Sequence, residues 1–221
     1  LRTKFDLLSL CLVGCHTTQL PCGHKYCKSC MAQLREKGVA QTCPLCRKPL
    51  PPGPDKLLDL GYRIYAKIMG VVDPDWNADW ERISFSTAQQ EGMDQSRALF
   101  HEAEVQGHSG AQGVCGDIYR LGWGVPRDDR LGFVYYEKAA HQGDSVSQFN
   151  LGDHYLQGRG CEQSYERAAE LFEKAVRRGQ PNAIVSLGSL YHNGQGVPQS
   201  FTRAFQLYKQ GRDMGNTDPG V

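Results

Sequence analysis

"LGDHYLQGRGCEQSYERAAELFEKAVRRG", Leu151–Gly179, is the stretch that decides the fold. It begins with a helical segment that ends near Tyr155 and turns on Gly158-Arg159-Gly160. It then carries Ala168, Leu171, Phe172 and Ala175 at helical spacing until Gly179 stops the second helix. Its landmarks recur every 36 residues. Tyr119, Tyr155 and Tyr191 form one column, and Gly116, Gly152 and Gly188 another. Two further columns build the turn: Gly122, Gly158 and Gly194, then Gly124, Gly160 and Gly196. The second helix has Gly132, Ala168 and Ala204, then Tyr136, Phe172 and Tyr208, then Gly143, Gly179 and Gly215. A fixed period of this length means stacked supersecondary units.

Each unit therefore reads as two helices joined by a Gly-x-Gly turn, which is followed by Val-Pro in "GWGVPRDD" (Gly122–Asp129) and "GQGVPQS" (Gly194–Ser200). A lone Gly-x-Gly hints at a phosphate cradle, but a copy between every pair of helices makes it a turn device. Three full copies run from about Ser109 to Gly215. A partial copy precedes them, with Leu99, Phe100, Ala103 and Gly107 in the second-helix columns and Asp79 where Leu151 would stand. In the last copy Gly211-Arg212 replaces Ala139-Ala140 and Ala175-Val176. Arginine there suits the polar outer face of a terminal repeat, the alternative being a further repeat beyond it. Cys115 and Cys161 stand in apolar columns and read as small buried residues, whereas His154 and His192 read as surface or groove residues rather than metal ligands.

Upstream the character of the chain changes. Seven of the nine cysteines lie between Cys11 and Cys46. Cys22-x-His24 and Cys27-x-x-Cys30 are followed, after twelve residues, by Cys43-Pro-Leu-Cys46. Pairs of thiolates at this spacing reach one zinc ion without strain, and bound metal supplies folding energy to a segment with few large apolar side chains. Reduced core cysteines are the plainer reading, but so many donors at these spacings favour zinc. Thiols clustered in this way point to metal in a reducing compartment, here read as the cytoplasm, rather than to a disulfide framework.

The stretch over roughly residues 5–50 resembles a RING finger, in which a first pair, C-x-H, C-x-x-C and C-x-x-C follow in order. The resemblance implies a cross-brace with two zinc ions. One site would use Cys22, His24, Cys43 and Cys46, the other Cys27 and Cys30 with two further ligands. Cys11-Leu-Val-Gly-Cys15 is one residue wider than the family's first pair, and His16 is another donor nearby. Cys11 and Cys15 are the ligands favoured here, and a pair of free loop thiols is the alternative. The repeats, in turn, resemble Sel-1-like repeats, relatives of the tetratricopeptide fold. That likeness implies a groove that binds protein segments, and adaptor or scaffold work.

A RING finger of the ubiquitin-ligase type has no nucleophile of its own. It docks a ubiquitin-conjugating enzyme and holds its ubiquitin thioester in a reactive posture, so its catalysis is positioning. Carried over by position, the docking residues would be Val13, Leu34 and Pro44, and Arg47 would bridge ubiquitin and its carrier with its planar fork. Each also has a structural role open to it: Leu34 as cover for a small core, Pro44 as a stiffener of the turn, Arg47 as an ordinary surface arginine.

The totals fit this division. The chain has 221 residues, 40% hydrophobic and 22% charged, with a formal net charge of +1. So balanced a charge argues against a nucleic-acid binder acting through bulk cations, and Arg35, Lys37, Arg47 and Lys48 form no basic stripe. No apolar run is long enough to span a bilayer. Leu1 is not an initiator methionine, so the chain reads as a fragment or a processed product.

The expectation is a mainly α protein: a small zinc cross-brace α+β module at 1–50, a Pro-rich linker and helix at 51–74, a degenerate helical repeat at 75–108, and an α-helical solenoid of helix-turn-helix repeats at 109–221. In "RKPLPPGPDK" (Arg47–Lys56) the prolines stiffen a spacer, and Asp55 is placed to cap a helix over 56–69 stopped by Gly70. Asp73-Pro74 opens a further helical start, with Trp76 and Trp80 on one face. The functional expectation is a RING-type ubiquitin–protein ligase that binds a substrate or adaptor protein on its repeats. The alternative is a non-catalytic zinc-stabilised scaffold.

Overall fold

The structure is a computed structural model, and it describes residues 17–19, 25–27, 52–69 and 85–215. The chain divides into two compact units, Leu1–Lys56 and Leu57–Val221. In the first, β1 (Thr17–Gln19) pairs antiparallel with β2 (Lys25–Cys27), with Thr18 opposite Tyr26. The rest of the described chain is helical: α1 (Pro54–Met69), α2 (Thr87–Val105), α3 (Ser109–Leu121), α4 (Asp129–His141), α5 (Ser145–Gln157), α6 (Tyr165–Arg177), α7 (Pro181–Asn193) and α8 (Phe201–Gly215).

α3 packs on α4, α5 on α6 and α7 on α8 as antiparallel hairpins, and each hairpin packs on the next through α4 against α5 and α6 against α7. Local chemistry sets the helix ends. The side chains of Asp128, Asp144 and Ser164 accept hydrogen bonds from the third backbone N–H of α4, α5 and α6, and so satisfy donors the helix cannot. Gly122, Gly158 and Gly194 end α3, α5 and α7 in the left-handed conformation that glycine adopts without penalty.

Two glycine columns explain the spacing of the layers. Within a hairpin, a Cβ at Gly116, Gly152 or Gly188 would lie 2.6, 2.6 or 2.7 Å from the ring of Tyr136, Phe172 or Tyr208. The first helix can therefore rest directly on that ring. Between hairpins, the second turn glycine meets the start of the preceding unit's second helix. A Cβ at Gly160 would collide with the Asp129 carbonyl, and one at Gly196 with that of Tyr165. Both glycines also have φ of +68°. The turn thus serves two purposes: its first glycine ends a helix and its second lets adjacent units touch.

α1 begins at Pro54, two residues before the helix expected from an Asp55 cap; proline is at home in a first turn, where its missing N–H is not needed, and Asp55 lies within that turn. α1 also does more than follow a spacer. A Cβ at Gly61 would lie 2.5 Å from the Phe100 ring on α2, and the Ser96 hydroxyl donates to the Gly61 carbonyl at 2.8 Å. Gly61 and Phe100 thus meet as Gly152 and Phe172 do, and Ser96 extends the column of Gly132, Ala168 and Ala204. α1 and α2 thus share the glycine-on-ring contact of the three hairpins. Phe100 and Ala103 are buried, as their columns require. Asp79, Asp73, Pro74, Trp76 and Trp80 lie outside the described residues.

Each glycine's reason can be tested by size. Gly160→Ala meets both positive φ and a backbone collision, and should cost about 3 kcal/mol or more. Gly179→Ala, at φ +80° with open space around it, should cost only about 1 kcal/mol. Urea denaturation followed by circular dichroism measures the difference.

Candidate functional site

The expected zinc ligands belong to the first unit. Cys27 ends β2, and the connection between the two strands, residues 20–24, carries Cys22 and His24 in sequence. Thiolates with one imidazole are the donor types zinc prefers. Cys11, Val13, Cys15, Cys22, His24, Cys30, Leu34, Cys43, Pro44, Cys46 and Arg47 themselves lie outside the described residues.

The second unit is built from buried apolar side chains with a few polar groups held among them. Its core includes Phe100, Cys115, Ile118, Tyr136, Leu151, Phe172, Ile184, Leu187 and Leu190. Cys115 is fully buried, as its column implies, and burial pushes its thiol up to about 12. It is therefore a packing residue rather than a nucleophile. Cys161 departs from its expected burial. It is half-exposed in the turn after α5, with its thiol 3.5 Å from the His154 carbonyl, because its column lies in the turn and not in a helix.

His154 also departs from expectation. Its residue type suggests the surface or a groove, yet it is completely buried on α5. The rings of Phe133 and Tyr136 lie 6.2 and 5.3 Å from it. The column explains why: Ile118 and Leu190 occupy the same position in the neighbouring units, and both are buried. Nδ1 lies 2.8 Å from the Arg159 carbonyl, which can only accept, so the proton sits on Nδ1. Nε2 then faces the interior with no hydrogen-bond partner among the described residues. Desolvation lowers the affinity of this ring for a second proton. The Arg159 hydrogen bond and Asp129 oppose that shift. His192, by contrast, is exposed as expected, with its ring 5.3 Å from that of Phe201.

One polar network joins the first full hairpin. The Tyr136 hydroxyl donates to Asp117 Oδ1 at 2.6 Å and accepts from Arg120 Nε at 2.9 Å. Burial raises the Asp117 carboxyl above its ordinary range, against the opposing pull of Tyr136 and Arg120. Phe172 fills the equivalent position in the next unit, so the network belongs to this hairpin and not to the repeat itself. Among the described residues no group of three His, Cys, Asp or Glu side chains could hold a metal, and no helix is long and apolar enough to cross a membrane.

With this geometry in view, comparison with known proteins gives a consistent answer. The family model described as Sel1 repeat matches residues 110–144, 145–180 and 181–216, and that of the C3HC4-type zinc finger (RING finger) matches residues 9–46. Among solved structures, the chain is similar to a protective antigen of uropathogenic Escherichia coli strains displaying an SLR fold. That likeness has 25% identity and a TM-score of 0.61, and covers 84% of this chain and 33% of that one. It is also similar to a Sel1 repeat protein from Oxalobacter formigenes, with 30% identity and a TM-score of 0.51, over 57% of this chain and 36% of that one. The chain spans about a third of the length of these two structures. No curated protein matches it.

The class is therefore that of the Sel1-type helical solenoid. More particularly, this chain carries a RING finger followed by three Sel1 repeats. A RING finger implies zinc, and Sel1 repeats suggest protein partners. The matched segment contains, in order, Cys11, Cys15, Cys22, His24, Cys27, Cys30, Cys43 and Cys46: three cysteines, a histidine and four cysteines. Arg47 falls one residue beyond it.

His154 generates a prediction with a definite sign. Its folded-state pKa lies below the unfolded value of about 6.5. Its neutral form is therefore fully compatible with the fold above that pH, and stability falls as pH drops below it, by up to about 1.4 kcal/mol per unit. Denaturant midpoints measured between pH 7.5 and 5 should show this slope in the parent chain. In His154→Leu, which restores the column's aliphatic residue, the slope should be reduced.

Proposed function

We propose that this chain is a RING-type ubiquitin–protein ligase. Its zinc module recruits a ubiquitin-charged conjugating enzyme, and its solenoid holds a protein substrate or an adaptor. The observation that carries the reading is the RING match over residues 9–46, with its donors in C3HC4 order, on one chain with a protein-binding repeat array. In this reading Cys22, His24, Cys43 and Cys46 hold one zinc ion, and Cys11, Cys15, Cys27 and Cys30 the other. Bound zinc supplies the cross-links that keep so small a module folded. Val13, Leu34 and Pro44 form the docking surface for the conjugating enzyme. Arg47 donates hydrogen bonds to ubiquitin and its carrier together, and so restrains the thioester for attack by an incoming amine. No covalent intermediate forms on this chain. We assign it to the cytoplasm, where such thiols stay reduced.

The scaffold reading rests on one observation, the four-residue step from Cys11 to Cys15 where the family uses three. If that pair does not bind metal, one zinc site is missing and the module only supports assembly. Native mass spectrometry of the purified chain separates the two readings. Two zinc ions are expected, falling to one in the Cys11→Ser/Cys15→Ser double variant.

Activity is read by single-turnover discharge of ubiquitin from a panel of charged conjugating enzymes. The parent chain should accelerate discharge from at least one of them. Arg47→Ala should slow it by roughly tenfold or more, as expected for loss of charge-assisted hydrogen bonds worth about 1.5–3 kcal/mol. A two-zinc parent that discharges none of the panel contradicts the ligase assignment.

A further inference from the structure

The seams between successive hairpins differ in chemistry. Four buried columns recur on the first helices α3, α5 and α7: Ala111, Ser147 and Ala183; Gln112, Gln148 and Ile184; Cys115, Leu151 and Leu187; Ile118, His154 and Leu190. On α7 all four are apolar, and they join Ala169 and Phe172 of α6 in one core cluster. On α3, Cys115 and Ile118 join Met93 and Phe100 of α2, and the one polar member, Gln112, accepts from Gln142 Nε2 at 2.7 Å. On α5 three of the four are polar. Leu151 alone is aliphatic, and it packs with Tyr136 and Ala140 of α4 in a cluster separate from the cores on either side.

The polar groups of this seam are incompletely paired. Gln148 Nε2 donates to the Ala140 carbonyl at 3.3 Å. Gln148 Oε1, Ser147 Oγ and His154 Nε2 are buried with no hydrogen-bond partner among the described residues. Unpaired polar groups weaken the contact that buries them, and in a repeat array the weakness stays local because each unit is held by its neighbours. The contact of α5 with α4 is therefore the one at which the array parts most readily.

His154 makes that contact sensitive to protons. Nδ1–H is committed to the Arg159 carbonyl at 2.8 Å, so a second proton must go to Nε2, beside the rings of Phe133 and Tyr136 of α4. The Tyr136 hydroxyl is already engaged by Asp117 and Arg120 of α3. Asp129 of α4 and Asp153 of α5 favour a charged ring, Arg120 opposes it, and burial is the largest influence, holding the ring neutral. α6 adds the apolar Leu171 to this layer, and the Cys161 thiol meets the His154 carbonyl rather than its ring. A closed seam thus excludes the proton, whereas an open one lets water solvate it. Opening is favoured as pH falls below the ordinary histidine value of about 6.5.

We propose that the seam between α4 and α5 is a proton-operated hinge. A proton on His154 opens it, and the hairpins before and after it then move as two bodies, while the apolar seam between α6 and α7 stays shut. The loss of stability on acidification is concentrated at this one joint. The assignment concerns the solenoid alone and stands apart from ubiquitin discharge.

The test reads one thiol in each seam of the full chain. Cys115 already occupies the column of Leu151 and Leu187, so Leu151→Cys and Leu187→Cys place the same probe at the other two seams. Alkylation by N-ethylmaleimide is followed peptide by peptide by mass spectrometry at pH 7.5 and 5.5. Each rate is normalised to that of the same thiol in the urea-unfolded chain at that pH. The normalised rate at position 151 should rise roughly five- to tenfold at the lower pH, and those at 115 and 187 should change by less than roughly twofold. Adding His154→Leu to Leu151→Cys should remove the rise. A rate at 151 that ignores pH overturns the proposal, as does an equal rise at all three positions or a rise that survives His154→Leu. If Leu151→Cys lowers the thermal midpoint at pH 7.5, hydrogen exchange of α5 against α7 in the unaltered chain makes the same comparison. Loss of protection confined to α5 is then expected, and no loss, or an equal loss in both helices, overturns the hinge.

Discussion

The solenoid depends on the absence of a single carbon atom in two columns. Where the first helix of each hairpin crosses the second, glycine removes the Cβ that would otherwise strike the ring of Tyr136, Phe172 or Tyr208. Where one unit meets the next, Gly160 and Gly196 bring the turn against the backbone that opens the preceding unit's second helix. Those approaches let Tyr136 and Phe172 reach full burial, and burial of that kind is the dominant favourable term in a fold assembled from short helices. The same glycine-on-ring contact recurs at Gly61 and Phe100, before the first matched repeat at residue 110.

A repeat array that is locally self-sufficient tolerates individual variation at each step, and this chain uses that latitude. The Tyr136–Asp117–Arg120 network appears in one hairpin, where the next has a phenylalanine. His154 stands where its neighbours have Ile118 and Leu190, so one unit carries a buried titratable ring that the others lack. The last helix keeps the aromatic columns of an inner unit and reverses the charge that borders them, from Glu173 to Lys209. The repeat sets where the helices lie, and these departures give each unit its own chemistry.

Most of the fold was readable in the residues because a period of 36 is a strong signal and glycine has few reasons to persist in register. The helix pairs, their turns and the burial of Cys115 and Phe172 follow from it directly. α1 was harder to place as a hairpin partner, because Gly61 and Phe100 are 39 residues apart where Gly152 and Phe172 are 20 apart. A search at constant spacing passes over that pair; only packing reveals it. His154 is deceptive for a different reason. Its residue type suggests water, while its column, shared with two aliphatic residues, indicates the core. On the amino-terminal side, the order of the donors was readable, whereas the ligation pattern is a property of three-dimensional placement.

Two kinds of stabilisation meet in this chain: metal cross-linking proposed for the first unit, and glycine-spaced packing in the second. Hydrogen-exchange mass spectrometry, run with and without a zinc-selective chelator, separates them most directly. The account predicts that chelation strips protection from peptides within residues 1–50 and leaves the amides of α3 to α7 as slow as before. Peptides of the first unit that keep their protection after zinc is removed would contradict it, and so would a solenoid that opens along with them.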